Sequence, residues 1–499
     1  MVSVTRQTLF FVFIVTLLGG TLTTGYSYFN VWATAPSLYY ANDTDLVNAA
    51  RWLNSTDTRD VNVYLSAIHY RHPTVAYLAR DYANFRWFTG GNALAVPEGA
   101  AIYVFPHSAP PPEEWFAKWT PAYAPLGPDG TPDFRAYRFD SMPPLPDFKP
   151  ANGNFGNMIE ITGYRQVEAG VVDFRLRVLN APDRGDYRLV VDLVDSHGFH
   201  WAQGFNDSYF SEQWQTGETI LMRMEIPAAS GTPPGDYRLL TTIFSPGANA
   251  TLPALTDSGY AAAYAAVGPI TIPRSEPQAM AQPIATLDGL NLIGFDPPPV
   301  SLRQGEPLPL TLVWQAPAPV NAPVRITLGD EEIESTAVSL EQAGETLIDR
   351  HAPRIPRAMA PGEYDVRVDG FRIGGVTVEA VRREFNAPAT SQRRSDIFGN
   401  LFELAGYDVN ETAITLHWKA LAETEADYTM FVHVLDANGN IIAQSDSRGE
   451  YPTSLWAKGE YVARRVEIAT TGTMEVGWYI AETGERLKTD EGDAVRFAP

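Results

Sequence analysis

The sequence predicts a mainly β, multidomain chain with an N-terminal transmembrane helix, a small α/β domain and three immunoglobulin-like β-sandwich repeats. Three observations predict this architecture: an uncharged apolar stretch near the amino end, a segment of alternating helical and strand patterns, and landmarks that recur three times beyond residue 155. A chain of 499 residues is also too long for one compact core. We expect a cytoplasmic tip and membrane anchor at 1–35, the α/β domain at 36–148, and sandwiches at 155–273, 284–386 and 396–499.

The composition excludes several classes of function. Lys and Arg total 37 against 59 Asp and Glu, which gives a net charge of -22. This charge repels phosphate backbones, so we expect no nucleic-acid partner. The chain has no cysteine, which excludes disulfides, zinc–thiolate sites, iron–sulfur clusters and thiol nucleophiles.

The amino-terminal stretch is suited to a membrane. No charged residue lies between Arg6 and Asp43, and the most apolar part covers residues 9–18. Extension to Phe29 gives the roughly 20 residues that a spanning helix needs. Aromatic residues follow like an interfacial belt: Tyr26, Tyr28, Phe29 and Trp32. Because Arg6 flanks the amino side, the positive-inside rule predicts a single-pass protein of the cell membrane with its carboxyl-terminal bulk outside the cytoplasm.

A cleaved signal peptide is the alternative interpretation of the same stretch. Ala33-Thr34-Ala35 has the small-x-small pattern that signal peptidases prefer. Pro36 follows immediately and should hinder cleavage. Both interpretations export the rest of the chain.

The next hundred residues alternate between helical and strand patterns. Asp45 can cap a helix over residues 46–53, and residues 61–66 alternate like a strand. Pro73 stands where a second helix can begin, and residues 101–105 predict a second strand. Helix, strand, helix and strand in this order predict a small α/β layer that ends near residue 145.

Beyond residue 155 the same landmarks recur in three copies. Each copy opens with a strand that ends in glycine and an aromatic residue: Gly163-Tyr164, Gly294-Phe295 and Gly406-Tyr407. A Gly-Glu pair follows in each: Gly217-Glu218, Gly344-Glu345 and Gly459-Glu460. Copies one and three also share turns that favour a hairpin, at residues 195–198 and 436–439. Units of this size with strands every 8 to 12 residues are typical of immunoglobulin-like sandwiches.

Residues that could carry chemistry are sparse. His69 and His72 lie three apart, as do His197 and His200, but no zincin-like glutamate accompanies either pair, and we interpret them as loop histidines. The acidic residues form no paired acid/base signature, and no serine stands in a nucleophile motif. We therefore assign no catalytic, metal-binding or cofactor-binding residue, expect no cofactor, and expect no catalysis by this chain alone.

Aromatic residues of the first repeat are better candidates for binding. Trp214 has a counterpart in Trp456, so we interpret both as core residues. Trp201, Tyr209 and Phe210 have no such counterparts in copy three, and sugars stack on exposed aromatic faces. We name these three residues as candidate glycan contacts.

Several short motifs resemble a known family. The motifs are Tyr28-Phe29-Asn30-Val31-Trp32-Ala33, Ala49-Ala50-Arg51-Trp52-Leu53, Val63-Tyr64-Leu65-Ser66, His72-Pro73-Thr74 and Tyr103-Val104-Phe105-Pro106. They resemble the region after the last membrane helix in bacterial members of the dolichyl-phosphate-mannose protein mannosyltransferase and aminoarabinose transferase superfamily. The third repeat is similar to the carboxyl-terminal domains of such proteins in filamentous, Chloroflexi-like bacteria, through Asp427-Tyr428-Thr429-Met430-Phe431-Val432-His433, Tyr451-Pro452-Thr453-Ser454-Leu455-Trp456 and Thr483-Gly484-Glu485-Arg486-Leu487.

The resemblance implies a polyprenyl-phosphate-sugar-dependent glycosyltransferase, whose many-helix membrane core holds the lipid donor. This chain has one membrane segment where the family has many, so no catalytic residue carries over. We expect the non-catalytic outer portion of such a transferase system, which binds a glycan acceptor, a partner protein or a multi-pass membrane subunit. The alternative is a free-standing adhesion or envelope scaffold. An open reading frame immediately upstream that encodes several membrane helices would favour the transferase system over the scaffold.

Overall fold

The computed structural model describes residues 6–32 and 35–498. These residues form two compact units. The first unit contains the chain up to Val191 together with Gly204–Ile226 and Ile243–Leu252. The second unit contains Asp192–Gln203, Pro227–Thr242 and the chain from Pro253 onwards.

The amino end is one long apolar helix. Helix α1 covers Arg6–Tyr26 and continues as a π-helix over Ser27–Trp32. The most apolar 18-residue window of Thr8–Trp32 has a mean hydropathy of 1.8, and none of that window is buried. The predicted N-terminal apolar helix is thus confirmed. Residues 33 and 34 of the Ala33-Thr34-Ala35 cleavage motif lie outside the described residues.

The following segment combines helices with a mixed sheet that has three parallel strands and one antiparallel edge strand. Its elements are α2 Pro36–Ala41, α3 Thr44–Ser55, β1 Asn62–Ala67, α4 Pro73–Leu78, a 3-10 turn at Tyr82–Asn84, β2 Arg86–Thr89, β3 Ala93–Val96, β4 Ala101–Pro106, α5 Glu113–Phe116 and β5 Phe134–Phe139. The sheet has the order β2-β1-β4-β5. Strand β1 runs parallel to β2 and β4, and β5 runs antiparallel to β4. Five of the six residues of β1 are buried, as expected for a central parallel strand.

Local details of this segment differ from the sequence prediction. Helix α3 begins at Thr44, so Asp43 rather than Asp45 occupies the cap position. The fully buried Asp45 carboxylate instead accepts hydrogen bonds from the backbone N–H of Leu46 (2.8 Å) and of Ser108 (2.9 Å). The carboxylate therefore ties the start of α3 to the loop after β4. Strands β2, β3 and β5 are additional elements that the sequence periodicity does not indicate.

The first sandwich follows. Its strands are β6 Lys149–Phe155, β7 Ile159–Glu168, β8 Val171–Val178, β9 Arg188–Val194, β10 His200–Asn206, β11 Thr219–Glu225, β12 Gly235–Ser245, β13 Ala250–Leu252, β14 Ala254–Leu255, β15 Ala261–Ala262 and β16 Ala265–Ile272. One sheet contains the order β6-β7-β8-β11-β3, and the other has β10-β9-β12-β13 with β16 also on β12. Strand β3 thus adds an edge from the mixed segment, in antiparallel register with β11.

The second and third sandwiches are built alike. The second has β17 Ala285–Leu287, β18 Leu290–Phe295, β19 Ser301–Arg303, β20 Leu310–Gln315, β21 Val320–Leu328, β22 Glu331–Leu340, β23 Thr346–His351, β24 Gly362–Val368 and β25 Phe371–Glu379. The third has β26 Gln392–Phe398, β27 Phe402–Asn410, β28 Ala413–Ala420, β29 Thr429–Leu435, β30 Ile441–Ser447, β31 Tyr461–Glu467, β32 Thr473–Tyr479 and β33 Val495–Phe497.

Each of these two sandwiches encloses one core between two sheets. The sheet orders are β17-β18-β20-β23 and β19-β25-β24-β21-β22 in the second sandwich, and β26-β27-β28-β31 and β30-β29-β32-β33 in the third. Trp314 lies in the second core and Trp418 in the third, and both side chains are fully buried. The prediction of a mainly β, multidomain chain with several antiparallel sheets is therefore confirmed.

Candidate functional site

Trp201, the first predicted glycan contact, is largely covered. It lies on β10, and its side chain is 8% exposed. The indole Nε1 donates a hydrogen bond to Asp195 Oδ2 at 2.8 Å. The guanidinium carbon of Arg350 lies 4.3 Å from the centre of the ring, as in a cation–π contact. Trp201 therefore offers no open ring face for a sugar.

Tyr209, the second predicted contact, belongs to the core. Its side chain is fully buried, and its hydroxyl lies 3.1 Å and 3.2 Å from the two carboxylate oxygens of Glu218. In the third sandwich, the hydroxyl of Tyr451 lies 3.1 Å from both carboxylate oxygens of Glu460. The sequence comparison gave Tyr209 no counterpart in copy three, and the structure corrects this: Tyr451 is its counterpart.

Phe210, the third predicted contact, is half-buried. Its ring packs edge-to-face on Tyr70, with ring centres 4.7 Å apart. Phe210 and Tyr209 lie in the first unit, whereas Trp201 lies in the second. Because Trp201 and Tyr209 are buried and Phe210 is half-buried, none of the three presents a fully exposed ring, and glycan binding by them stays a prediction.

The Gly-Glu pair that recurs in the sequence forms the same turn in every sandwich. Glu218, Glu345 and Glu460 are 1%, 2% and 1% exposed. Each carboxylate accepts a hydrogen bond from the backbone N–H three residues earlier, at 3.2, 3.3 and 2.8 Å. The preceding glycines have φ of 86°, 78° and 88°, a conformation that a side chain would strain. The recurring pair is therefore a structural device of the repeat.

Trp214 and Trp456 complete this turn in the first and third sandwiches. The indole N–H of Trp214 donates to the carbonyl of Tyr209 at 3.0 Å, and that of Trp456 donates to the carbonyl of Tyr451 at 3.2 Å. Both tryptophans are buried. Their interpretation as core residues of the repeat is confirmed.

A cleft of about 850 Å³ lies within the second unit. Its walls are the turn between β9 and β10, the start of β12, strand β22, and strand β23 with the residues after it. Five carboxylates line it, from Asp195, Asp236, Glu334, Asp349 and Glu425, against the cationic Arg350 and two histidines, His197 and His351. We call it the acidic cleft. Trp201 also lines it, and sequence patterns missed the rest because its walls come from strands far apart in the chain.

His351 is the buried centre of the acidic cleft. Its side chain is 3% exposed, with Nε2 2.8 Å from Asp349 Oδ2 and Nδ1 3.3 Å from Glu334 Oε1. Burial alone would lower the pKa of His351, but the two neighbouring carboxylates outweigh burial and raise the pKa to about 9. The imidazolium at neutral pH thus joins β22 to β23 across the edges of two sheets.

The second sandwich should lose stability as the pH rises past neutrality. Because the folded-state pKa of His351 lies above the ordinary value of 6.5, its protonation stabilises the fold fully below pH 6.5, and this contribution is lost as the pH rises through about 9. We expect a loss of up to about 3 kcal/mol in the free energy of opening of β22 and β23, measured by hydrogen exchange at pH 6.5 and 9. His351→Gln should flatten this dependence, and an equal loss in that variant would contradict the assignment.

The paired histidines form no metal centre in the described part of the chain. The rings of His69 and His72 lie 5.9 Å apart, and His72 Nε2 lies 3.8 Å from Asp43. His200 Nδ1 lies 3.7 Å from Asp192. Among residues 6–32 and 35–498, no group of three or more His, Asp or Glu side chains could hold a metal ion.

No protein-family model matches the chain, and no curated protein matches it. Among solved structures, a fragment of native alpha-2-macroglobulin from Escherichia coli spanning domains MG0-NIE-MG1 is similar over 69% of this chain and 98% of that chain, at 10% identity and a TM-score of 0.13. The Parabacteroides merdae beta-glucuronidase is similar over 59% of this chain and 37% of that chain, at 10% identity and a TM-score of 0.12. Similarities at these TM-scores assign no family and no function.

Proposed function

We propose that the helix Thr8–Trp32 anchors the chain in a membrane and that the β-rich remainder works outside the cytoplasm without catalysing a reaction. The apolar side chains of this helix are exposed all round, which water does not favour. The hydroxyls of Thr16, Thr21 and Thr23 donate to backbone carbonyls four residues earlier at 2.7 to 2.8 Å, so they need no water partner. The exposed apolar helix is the observation that supports the proposal.

Within this proposal, the chain is the outer, non-catalytic portion of a polyprenyl-phosphate-sugar-dependent glycosyltransferase system, where it binds a glycan acceptor or a partner protein. The motif resemblance after the membrane helix and in the third sandwich supports the transferase link. The acidic cleft supports a binding role, since a concave site with a few convergent polar groups is the usual form of a ligand site.

A free-standing adhesion or envelope scaffold is the second candidate. The observation that favours it is the repeated glutamate turn, which recurs with the same geometry in three sandwiches. Tandem arrays of similar domains can act as spacers in proteins that have no catalytic domain.

Fractionation of cells that produce the full chain tests whether the chain is anchored in the membrane and whether its β-rich part lies outside the cytoplasm. We expect the intact chain in the membrane fraction after a carbonate wash, with its β-rich part open to protease from outside, and a variant without residues 1–35 in the soluble fraction. An intact chain in the cytosol would overturn the membrane proposal, and a mature chain that starts near residue 36 would show a signal peptide instead. Extraction of native membranes in mild detergent then separates the candidates: the transferase system requires a multi-helix partner that co-elutes, and the scaffold elutes without one.

A further inference from the structure

The acidic cleft is bordered by strand edges. Strand β22 ends one sheet of the second sandwich, and β23 ends the other. Thr336 and Ala337, which are consecutive on β22, both line the cleft. Because neighbouring side chains of a strand point to opposite faces, consecutive lining residues mean that the edge of β22 borders the cleft. The edge of β23 is partly occupied, since the N–H of Ile348 donates to the carbonyl of Gly231 at 2.7 Å.

The backbone of β22 offers hydrogen-bonding groups at this edge. Ala337 pairs with Pro323 of β21. Proline has no N–H, so this antiparallel pair cannot exchange both bonds and is of the non-hydrogen-bonded type. In such a pair the N–H and C=O of each residue point away from the partner strand. The N–H of Ala337, and by alternation that of Ser335, therefore point to the open edge.

The charge of the cleft selects a cationic occupant. Its five carboxylates outnumber the cationic Arg350 and His351, and the whole chain carries a net charge of -22. Two atoms of β22, Glu334 Oε2 and Thr336 Oγ1, are buried without a hydrogen-bond partner among the described residues. An unpaired carboxylate oxygen and a hydroxyl both accept hydrogen bonds from ammonium or guanidinium groups.

The aromatic residues of the cleft do not favour a sugar. Trp201 is 8% exposed and Tyr237 is 3% exposed. Arg350 covers a face of the Trp201 ring. Trp201 and Tyr237 therefore offer no open face for stacking, and Phe199, which also lines the cleft, is half-buried. The strand edge and the carboxylates are the other groups that a ligand can meet here.

We propose that the acidic cleft binds an extended, lysine- or arginine-bearing segment of a partner protein, which pairs with the edge of β22 and directs basic side chains at the carboxylates. This is strand addition to an open sheet edge, in which backbone bonds supply affinity and side chains supply selectivity. The inference goes beyond the proposed function and does not depend on the membrane anchor. Peptide binding by the cleft and membrane anchoring can therefore each be disproved without the other.

Titration calorimetry on the full chain in detergent tests the proposal. The probe is an eight-residue peptide that alternates lysine and threonine, and the matched control peptide has glutamate in place of lysine. We expect the basic peptide to bind and the matched glutamate peptide not to bind. Added salt should weaken binding of the basic peptide, because salt screens the carboxylates. Chitotetraose and maltohexaose are titrated as glycan probes.

Two pairs of variants separate the backbone contact from the charge. Ala337→Pro removes the outward N–H and should weaken binding at least about tenfold, whereas Ala337→Thr keeps the N–H and should weaken binding less than Ala337→Pro does. Glu425→Lys reverses an exposed charge of the cleft and should weaken binding about fivefold. Glu467→Lys, which reverses an exposed charge on β31 away from the cleft, should not change it. Circular dichroism confirms that each variant is folded.

Specific outcomes overturn the proposal. If a glycan binds and the basic peptide does not, the cleft is a sugar site and not a peptide site. If Glu425→Lys and Glu467→Lys weaken binding equally, the net charge of the chain and not a contact in the cleft attracts the basic peptide. Unchanged binding in a folded Ala337→Pro variant would exclude pairing with β22.

Discussion

Replacement of Asp173 by alanine is expected to destabilise the first unit by about 3–5 kcal/mol. The Asp173 side chain is fully buried on β8 and accepts hydrogen bonds from Arg165 (2.6 Å), Arg223 (2.8 Å) and the indole N–H of Trp115 (2.7 Å). Arg165 and Arg223 are its direct cross-strand neighbours on β7 and β11. The substitution leaves the Arg165 guanidinium without its counter-charge, leaves Arg223 with Glu114 as its remaining carboxylate partner, and leaves one indole N–H without an acceptor. Removal of one partner from a buried ion pair is strongly destabilising.

Hydrogen exchange of the β8 and β11 amides in the full chain measures this loss locally, which avoids the assumption that a multidomain chain unfolds in one step. Asp57→Ala is the matched control, because the Asp57–Arg59 pair on the surface of the same unit is largely exposed. We expect no measurable change in that variant. A loss of less than about 1 kcal/mol for Asp173→Ala would mean that water replaces the carboxylate and that the network contributes little.

Features with a local structural cause are predictable from this sequence. The hairpin turns at Gly198 and Gly439 need positive φ, and the glycines adopt 87° and 84°. The Gly-Glu pairs recur because one glutamate closes its own turn within three residues. The apolar amino-terminal helix follows from an uninterrupted run of uncharged residues. Each feature depends on residues within a few positions of one another, so a single sequence carries the whole signal.

Features that depend on a partner distant in the chain are not predictable from this sequence. Strand β3 is a four-residue apolar run that alone predicts little, and its identity as a strand depends on β11, more than a hundred residues later. The sequence predicts Tyr209 to be an exposed aromatic residue, because nothing near Glu218 in the sequence indicates that this carboxylate lies buried beside the Tyr209 hydroxyl. The acidic cleft combines residues from the turn after β9 to the loop before β29. Such sites become visible only when the topology brings strand edges together.

The second large effect is expected for Trp456→Ala, which should cost the third sandwich about 3–5 kcal/mol. The Trp456 ring is fully buried, with its centre 5.2 Å from that of Phe402 and 5.7 Å from that of Trp478. Its N–H bond to the carbonyl of Tyr451 holds the repeated turn closed. Alanine leaves a cavity among rigid aromatic rings that cannot collapse to fill it, and it removes the donor as well.

Trp214→Ala is the matched variant, because Trp214 makes the same bond in the first sandwich. Hydrogen exchange on the full chain should show faster exchange of β27 and β28 in Trp456→Ala only, and of β8 and β11 in Trp214→Ala only, since distant substitutions act independently. Trp456→Phe keeps most of the ring volume but loses the donor, so it should cost less than half as much as alanine. If phenylalanine costs as much as alanine, the hydrogen bond to Tyr451 rather than the buried ring stabilises the turn, and the packing explanation of the repeat is wrong.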